Sequence, residues 1–130
     1  MKLYEQNNAA RFEKKTFRMW MKIVDVYDGD TVTVVCFVNN NPVRWRCRLQ
    51  GFDAPELRSK NEHEKAKAVL AREFLKTILP HTIFHGSCNG LDKYGRLLLN
   101  IRHKNMDISQ IMIENGHGYP YNGGKKKVVE

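Results

Sequence analysis

Residues 43–56 read Val-Arg-Trp-Arg-Cys-Arg-Leu-Gln-Gly-Phe-Asp-Ala-Pro-Glu, so a strand pattern leads directly into two carboxylates. Apolar residues alternate with arginines over residues 43–49, which predicts a strand with one core face and one cationic face. Asp53 and Glu56 then flank an Ala-Pro pair, in which Pro55 fixes its own φ and favours an extended residue before it. We therefore expect both carboxylates to lie on a stiff corner at the end of this strand.

Outward from this stretch, the periodicity of the chain predicts a small barrel. Alternating apolar and polar residues predict five strands, and apolar residues at helical spacing predict two helices. The predicted strands cover residues 16–26, 31–38, 43–49, 82–88 and 96–102, and the predicted helices run from Ser59 to the residue before Pro80 and over residues 108–115. Because one helix follows the third strand and one the fifth, we expect an α+β, mainly β fold. The expected architecture is a five-stranded Greek-key barrel of the OB type with two helices.

The turns between the first three strands predict their register. In the Asp28-Gly29 turn, glycine accepts positive φ without steric penalty. A hairpin centred on Asn40 and Asn41 places Cys36 opposite Trp45 and makes Cys36 a diagonal neighbour of Cys47 on the inner face. Two small buried thiols are one interpretation of this pair, and a disulfide is the other.

The predicted helices have recognisable ends. Ser59 begins a Ser-x-x-Glu capping box, Asp107 with Gln110 three residues later caps the second helix, and Gly116 ends it. The apolar stripe of the first helix is expected to pack on the core, and it consists of Ala66, Val69, Leu70, Phe74 and Ile78.

The layout of the chain indicates one domain, since 130 residues are enough for a single core. Turns at Asn89-Gly90 and at residues 92–96 join the last two strands, and residues 118–124 are predicted to be loop. The expected parts are a loose N-terminal arm over residues 1–15, the domain over residues 16–121 and a basic tail over residues 122–130.

The charge of the chain predicts a polyanionic partner. There are 22 Lys and Arg residues against 14 Asp and Glu, which gives a net charge of +8. Such a surface attracts nucleic acid, and charge that serves only solubility is the alternative. Hydrophobic residues make up 42% of the sequence, which argues against a disordered chain.

Cysteine usage and hydropathy bear on location. Three cysteines at irregular spacing do not form a disulfide framework and favour an intracellular protein with reduced thiols. No apolar run reaches the ~18 residues of a membrane span, and residues 1–17 lack the apolar region of a signal peptide. We expect a monomer that does not associate with membranes.

Acidic and basic side chains at three separate points suggest a site for phosphate chemistry. Asp28 and Asp30 are either oxygen ligands for an ion such as Ca²⁺ or Mg²⁺ or only turn residues. Arg48 and Arg96 present planar forks that match phosphate oxygens, although an isolated arginine is more often a surface residue. A site is favoured by the joint occurrence of five residues: Asp30, Arg48, Asp53, Glu56 and Arg96.

Three further groups of residues have ordinary structural explanations. Arg44 and Arg46 are expected on a solvated face. His81, His85 and Cys88 suggest zinc, but on an extended strand the two histidines are about 13 Å apart, which argues against a shared ion. Three tyrosines either stack on bases or pack at the rim of the barrel: Tyr94, Tyr119 and Tyr121.

With these motifs in this order, the chain resembles the staphylococcal nuclease (thermonuclease) family. The resemblance covers residues 17–118 and is carried by Asp-Gly-Asp-Thr at 28–31, Arg-Leu-x-x-x-Asp-x-Pro-Glu at 48–56, Asp-Lys-Tyr-Gly-Arg at 92–96 and Glu-Asn-Gly at 114–116. It implies a five-stranded OB-type barrel with helices. It also implies a Ca²⁺-dependent phosphodiesterase that acts on DNA and RNA and leaves 3′-phosphate and 5′-hydroxyl ends.

The resemblance also implies a metal site. Asp30, Asp53 and the backbone carbonyl of Ala54 would bind Ca²⁺, and Asp28 would support the ion without binding it directly. Position 54 is often threonine in the family. With alanine the carbonyl ligand is kept, and a side-chain contact near the metal is lost.

The implied catalytic residues are Arg48, Glu56 and Arg96. Glu56 would act as general base or orient the attacking water, and the two arginines would hold the phosphate and stabilise the transition state. Lys93 and Tyr94 would line the nucleotide pocket. Two further tyrosines match the family's base-stacking positions only approximately: Tyr119 and Tyr121.

Two functions follow from these observations. The first is a calcium-dependent nuclease of low sequence specificity that acts on DNA, RNA or both. The second is a non-catalytic OB-type module that binds nucleic acid or protein, because copies of this domain in some multidomain proteins have lost catalytic residues. The presence of all five side chains of the implied site favours the nuclease: Asp30, Arg48, Asp53, Glu56 and Arg96.

Overall fold

The computed structural model describes residues 16–120, and these form a closed five-stranded barrel with helices packed on it. In chain order the elements are β1 (Phe17–Asp28), β2 (Thr31–Val38), β3 (Asn41–Leu49), β4 (Phe52–Asp53), α1 (Glu62–Ile78), β5 (Phe84–Leu91), β6 (Leu97–Asn100), β7 (Arg102–His103), β8 (Met106–Asp107), α2 (Ile108–Glu114) and β9 (Tyr119–Pro120). The predicted N-terminal arm and basic tail lie outside the described residues.

The barrel strands follow the order β1-β2-β3-β6-β5, and β5 pairs back onto β1. Neighbouring strands are antiparallel except β3 and β6, which are parallel. Two short ladders, β4 with β9 and β7 with β8, lie outside the barrel. One helix follows the third barrel strand and one follows the fifth. The predicted fold class is therefore confirmed. Within residues 16–120, no helix is both long enough and apolar enough to cross a membrane.

The hairpin formed by β2 and β3 has a register that differs from the predicted one by two residues. Its turn is Asn39-Asn40, with φ of 51° and 66°. Cys36 consequently pairs with Val43, and Trp45 pairs with Val34. Asparagine tolerates the positive φ that a two-residue turn needs at both positions, and this shifts the centre of the hairpin. Because the error is an even number of residues, every side chain keeps its predicted face.

The three cysteines are buried free thiols in the barrel interior. Cys47 pairs with Val32, four residues along β2 from Cys36, so the predicted diagonal contact between these two cysteines is wrong. Burial raises the pKa of each thiol, that of Cys88 to about 12. The interpretation as small buried hydrophobes therefore replaces the disulfide.

Helix α1 begins two residues later than predicted. Asn61 is its N-cap, and the Asn61 side chain accepts a hydrogen bond from the Glu64 amide at 3.0 Å. Ser59 instead accepts a hydrogen bond from the Asn61 amide, so the predicted Ser59 capping box is wrong. An asparagine followed by Glu64 three residues later supplies the same type of cap.

The face of α1 that packs on the barrel also differs from the predicted stripe. Its buried residues are Ala68, Ala71, Leu75 and Ile78. Of the predicted stripe only Ile78 is buried, whereas Val69 and Leu70 are 40% and 63% exposed. Two alanines on the inner face let the helix approach the barrel closely, and this close approach outweighs the larger apolar residues one position away.

Gly29 lies where α1 and the corner after β4 approach the first turn. A Cβ atom at Gly29 would lie 2.8 Å from the Ala54 Cβ and 3.0 Å from the Ala71 Cβ. Its φ is not positive, so the predicted conformational reason for this glycine is wrong. Close packing is what requires glycine here, and it holds the first turn against the corner.

Further differences concern the second half of the chain. Asn89 and Gly90 lie within β5 at a β-bulge and do not form a connecting turn. The predicted strand over residues 96–102 is divided into β6 and β7, and the predicted loop over residues 118–124 contains β9. Asp107 precedes α2 as predicted but makes no capping bond, because its carboxylate pairs with Arg102.

We expect two alanine positions of α1 to respond differently to the same substitution. Ala68 is fully buried and Ala66 is exposed. Ala68→Gln buries an amide against the barrel and should lower the free energy of unfolding by about 2–3 kcal/mol. Ala66→Gln, its matched control, should change it by less than about 0.5 kcal/mol. Urea titrations followed by circular dichroism measure both values, and equal values would contradict the packing of Ala68 against the barrel.

Candidate functional site

An open cleft of about 1030 Å³ lies at the end of the barrel where β1 ends, β2 begins and β3 ends. The corner after β4 and the turn between β5 and β6 complete its walls. Most of the residues predicted from the sequence line this cleft, namely Asp28, Asp30, Arg48, Asp53, Glu56, Lys93, Tyr94 and Arg96. The fold thus brings together side chains that are up to 68 positions apart in the sequence, from Asp28 to Arg96.

The Arg48 guanidinium lies between two buried carboxylates at the floor of the cleft. Its Nη2 is 2.5 Å from Asp53 Oδ1 and 3.4 Å from Asp30 Oδ2. Asp30 and Asp53 are each only 6% exposed. Charges this deep are tolerated only when they are paired, so Arg48 is an electrostatic requirement of the floor.

Asp30 is fixed from several directions. Its Oδ2 accepts a hydrogen bond from the Ala54 amide at 2.8 Å, and its Oδ1 accepts one from the Thr31 hydroxyl at 3.0 Å. The Ala54 contact joins the first turn to the corner after β4, where the packing at Gly29 also holds the two segments together. Asp30 is therefore held in place by backbone and side-chain contacts together.

Asp28 adds a third carboxylate to the floor. Its Oδ1 accepts a hydrogen bond from the Asp30 amide at 3.3 Å. Burial, followed by the charge of Asp30, raises the pKa of Asp28 to about 7. Arg48 pairs with Asp30 and Asp53, and Asp28 lies beside Asp30, so a further cation at the floor would favour the ionised form of Asp28.

The floor fits an ion such as Ca²⁺ in its donor chemistry, which is hard carboxylate oxygen. Asp30 and Asp53 would supply the side-chain ligands. Within residues 16–120, however, no three His, Cys, Asp or Glu side chains converge as a complete metal-binding group. Because Ca²⁺ takes six to eight oxygen ligands, backbone carbonyls, water or substrate oxygens would have to complete the shell.

Arg96 is positioned by Asp92, a residue to which the sequence analysis gave no role. The Arg96 Nε donates to Asp92 Oδ2 at 2.6 Å, and the amides of Tyr94 and Arg96 donate to Asp92 Oδ1 at 2.8 and 2.9 Å. Although burial alone would raise it, these hydrogen bonds lower the pKa of Asp92 below its usual value. The sequence did contain a signal for this role of Asp92, since an aspartate begins a Gly-containing turn four residues before an arginine.

The turn that carries Arg96 is also tied to the barrel. The Trp45 indole on β3 donates a hydrogen bond to the Gly95 carbonyl at 3.0 Å. Gly95 has φ of +80°, which lets the turn close without strain. Arg48 and Arg96 therefore approach the cleft from elements that are fixed relative to each other.

The rim of the cleft is basic and aromatic. Tyr94 is 72% exposed, and the Lys93 Nζ and Arg96 Cζ lie 5.2 and 5.6 Å from the centre of its ring. Elsewhere in the lining of the cleft the Arg46 Cζ lies 5.2 Å from the centre of the Tyr27 ring. Buried carboxylates paired with Arg48 thus form the floor, and more exposed cationic groups form the rim, an arrangement suited to a cation below and a polyanion above.

Glu56 lies on the exposed side of the corner after β4 and lines the cleft. Its amide donates a hydrogen bond to Glu64 Oε2 at 3.4 Å, and its carbonyl accepts one from the Ser59 amide at 3.2 Å. Both contacts involve its backbone, and they tie the corner to the start of α1.

Some candidates lie elsewhere. Tyr119 is in β9, paired with Asp53, and is not among the described residues that line the cleft. Tyr121 lies outside the described residues. His85 is on the outer face of β5, whereas Cys88 is buried.

Comparison with protein families identifies the class of protein that this barrel and cleft define. The family model for staphylococcal nuclease homologues matches residues 46–128, which is more than half of the chain. The chain therefore belongs to this family. The match includes the motifs at residues 48–56 and 92–96 and leaves β1 and β2 outside it. A search of curated proteins finds no match to the sequence.

We expect Arg48 and its neighbour Arg46 to differ strongly in their effect on stability. Arg48→Met leaves the buried Asp30 and Asp53 without their shared cation and should lower the free energy of unfolding by about 3–5 kcal/mol. Arg46→Met removes an exposed side chain from the same face of the same strand and should change it by less than about 0.5 kcal/mol. Urea denaturation in EDTA compares the two variants. If both had equally small effects, the ion pairs of Arg48 would not support the floor.

Proposed function

We propose that this protein is a calcium-dependent nuclease that hydrolyses phosphodiester bonds of DNA, RNA or both with low sequence specificity. The observation that carries the proposal is the convergence of one set of side chains on one cleft: Asp30, Arg48, Asp53, Glu56 and Arg96. Membership of the staphylococcal nuclease family supports a nucleic acid as the partner. The basic rim and the net charge of +8 support the same class of substrate.

In the proposed mechanism, Arg48 and Arg96 bind the non-bridging oxygens of the scissile phosphate. Both guanidiniums are held by carboxylates, Arg48 by Asp53 and Arg96 by Asp92, so their forks are oriented before substrate arrives. Such preorganised donors stabilise the negative charge that develops on the non-bridging phosphate oxygens in the transition state. Lys93 lies at the rim, where it adds positive charge along the backbone of the substrate.

Glu56 is proposed to accept a proton from water as the water oxygen bonds to phosphorus. The bond between phosphorus and the 5′ oxygen then breaks, that oxygen takes up a proton from solvent to become a hydroxyl, and Glu56 releases the proton it accepted to solvent. The phosphate stays on the 3′ oxygen of the other fragment. Calcium held by Asp30, Asp53 and the Ala54 carbonyl would polarise the phosphate and lower its negative charge.

A second function is favoured by one observation. Arg48 engages both Asp30 and Asp53, and no complete group of metal-binding side chains is present within residues 16–120. If these ion pairs persist in solution, the cleft would bind a nucleic acid backbone without hydrolysing it. The chain would then act as a non-catalytic binding module.

Metal dependence distinguishes the two functions. Incubation with plasmid and with single-stranded RNA should give cleavage in Ca²⁺ and none in EDTA. Mg²⁺ should support binding better than turnover, because this smaller ion requires a tighter octahedron of ligands. End-labelled substrates should yield 3′-phosphate and 5′-hydroxyl products. Binding that is equal in Ca²⁺ and EDTA, with no cleavage in either, would favour the non-catalytic module.

Substitution of Glu56 tests its role in catalysis. Glu56→Gln keeps the size of the side chain but cannot take up a proton, so turnover should fall by about 10²- to 10⁴-fold. Asp53→Asn should weaken the metal site instead, so part of its lost activity should return at higher Ca²⁺. Cleavage by the Glu56 variant at the parental rate would exclude this residue as general base. Circular dichroism and urea titrations check the fold of each variant.

A further inference from the structure

The outer face of β3 carries a row of arginines that leads from the far end of the barrel to the cleft. Arg44, Arg46 and Arg48 all point outward, because the alternate residues Val43, Trp45 and Cys47 point towards the core. Successive outward residues on a strand are about 6.6 Å apart. This spacing is close to that between successive phosphates of an extended single strand of nucleic acid.

The surroundings of this row are open and basic. Across the sheet, Arg44 pairs with Val35 and Val35 pairs with Lys22, so this line of paired residues holds two cations and no acid. Arg46 pairs with Thr33, which pairs with Asp25, so the acid in that line lies on β1, with β2 between it and Arg46.

The two outer arginines also differ from Arg48 in their contacts. Arg44 and Arg46 are exposed, and neither forms an ion pair within the described part of the chain, whereas Arg48 pairs with buried carboxylates. Solvated guanidiniums with no acidic partner keep their charge available for an external anion. Structural need therefore explains Arg48 and leaves Arg44 and Arg46 unexplained.

Aromatic side chains accompany the row at both ends. The Tyr27 ring lies beneath Arg46 where the row enters the cleft. At the other end Phe37, on β2, is 60% exposed. Cationic side chains that track a backbone, together with exposed rings on which bases stack, are the features of surfaces that bind single-stranded nucleic acid.

We propose that the outer face of β3 is a binding track for a single strand of polynucleotide, which it leads into the cleft. The β3 track consists of Arg44 and Arg46, with Lys22, Tyr27 and Phe37 beside them. This inference rests on the proposed function, because it assigns the polymer to the same cleft. It adds that the preferred substrate is an extended strand of several nucleotides, and that the strand lies across β3 on one side of the scissile phosphate.

The test compares Arg44→Gln/Arg46→Gln with a control that removes the same charge elsewhere. Lys67→Gln/Lys76→Gln on α1 is the control, since neither lysine lines the cleft. Fluorescence anisotropy in EDTA measures the binding of a labelled single strand of about 16 nucleotides, the upper site size of an OB fold. Loss of two phosphate contacts should lower the slope of log affinity against log salt by about 1.4 and weaken binding roughly tenfold at low salt. The lysine control should change both much less.

Cleavage in Ca²⁺ separates the track from the catalytic site. For the track variant, kcat/KM should fall more on the long strand, which also spans Arg44, than on a dinucleotide, which occupies only the cleft and meets the track at Arg46 alone. The inference is overturned if the track variant and the lysine control lose equal affinity, or if the track variant loses the same affinity for anionic lipid vesicles as for the oligonucleotide. Wild-type protein that binds the strand through Arg44 and Arg46 but does not cleave it in Ca²⁺ would support the track and contradict the nuclease.

Discussion

The contact on which this structure depends is the placement of the Arg48 guanidinium between two buried carboxylates. Asp30 comes from the turn after β1 and Asp53 from β4, so this one cation joins three segments of the chain. Removing either kind of charge leaves the other buried and unpaired, which is strongly unfavourable. The same interaction keeps a guanidinium and two carboxylates in fixed positions at the end of the barrel. The contact that stabilises the end of the barrel therefore involves the same groups that we propose bind phosphate and a metal ion.

Charged side chains of opposite sign differ in how deeply they lie in the cleft. Carboxylates lie at the floor, where burial raises the pKa of Asp28 and makes uncompensated negative charge unfavourable. Cationic side chains lie at the rim and along β3, where they are solvated and attract polyanions at long range. Calcium at the floor would offset the carboxylates, and a phosphate between floor and rim would contact both. The turn over residues 92–96, held by Asp92 and by the Trp45 indole, brings Arg96 to the same cleft.

The sequence predicted the barrel and the members of the cleft because both follow from local signals. Alternation fixed the faces of the strands, and three short motifs fixed the charged residues. The sequence-based predictions were wrong where packing between distant segments determines the structure. The inner face of α1 is set by the close approach of Ala71 to Gly29, which helical spacing alone does not show. The register of the β2–β3 hairpin depends on which two of three consecutive asparagines adopt positive φ. The hydrogen bond from Arg96 to Asp92 depends on the closure of their turn, which the residue spacing alone does not show.

We propose that the carboxylates around Arg48 form a cation site as well as an ion-paired floor. Isothermal titration calorimetry of Ca²⁺ into the metal-free protein measures this binding, with Asp30→Asn as the matched variant. We predict that the wild type binds one Ca²⁺ and that a non-hydrolysable dinucleotide tightens this binding, because the phosphate supplies ligands and attracts Arg48. Asp30→Asn should lose the binding while remaining folded. A wild type that takes up no Ca²⁺ with or without the dinucleotide would contradict the account and leave Arg48 as the sole cation of the floor.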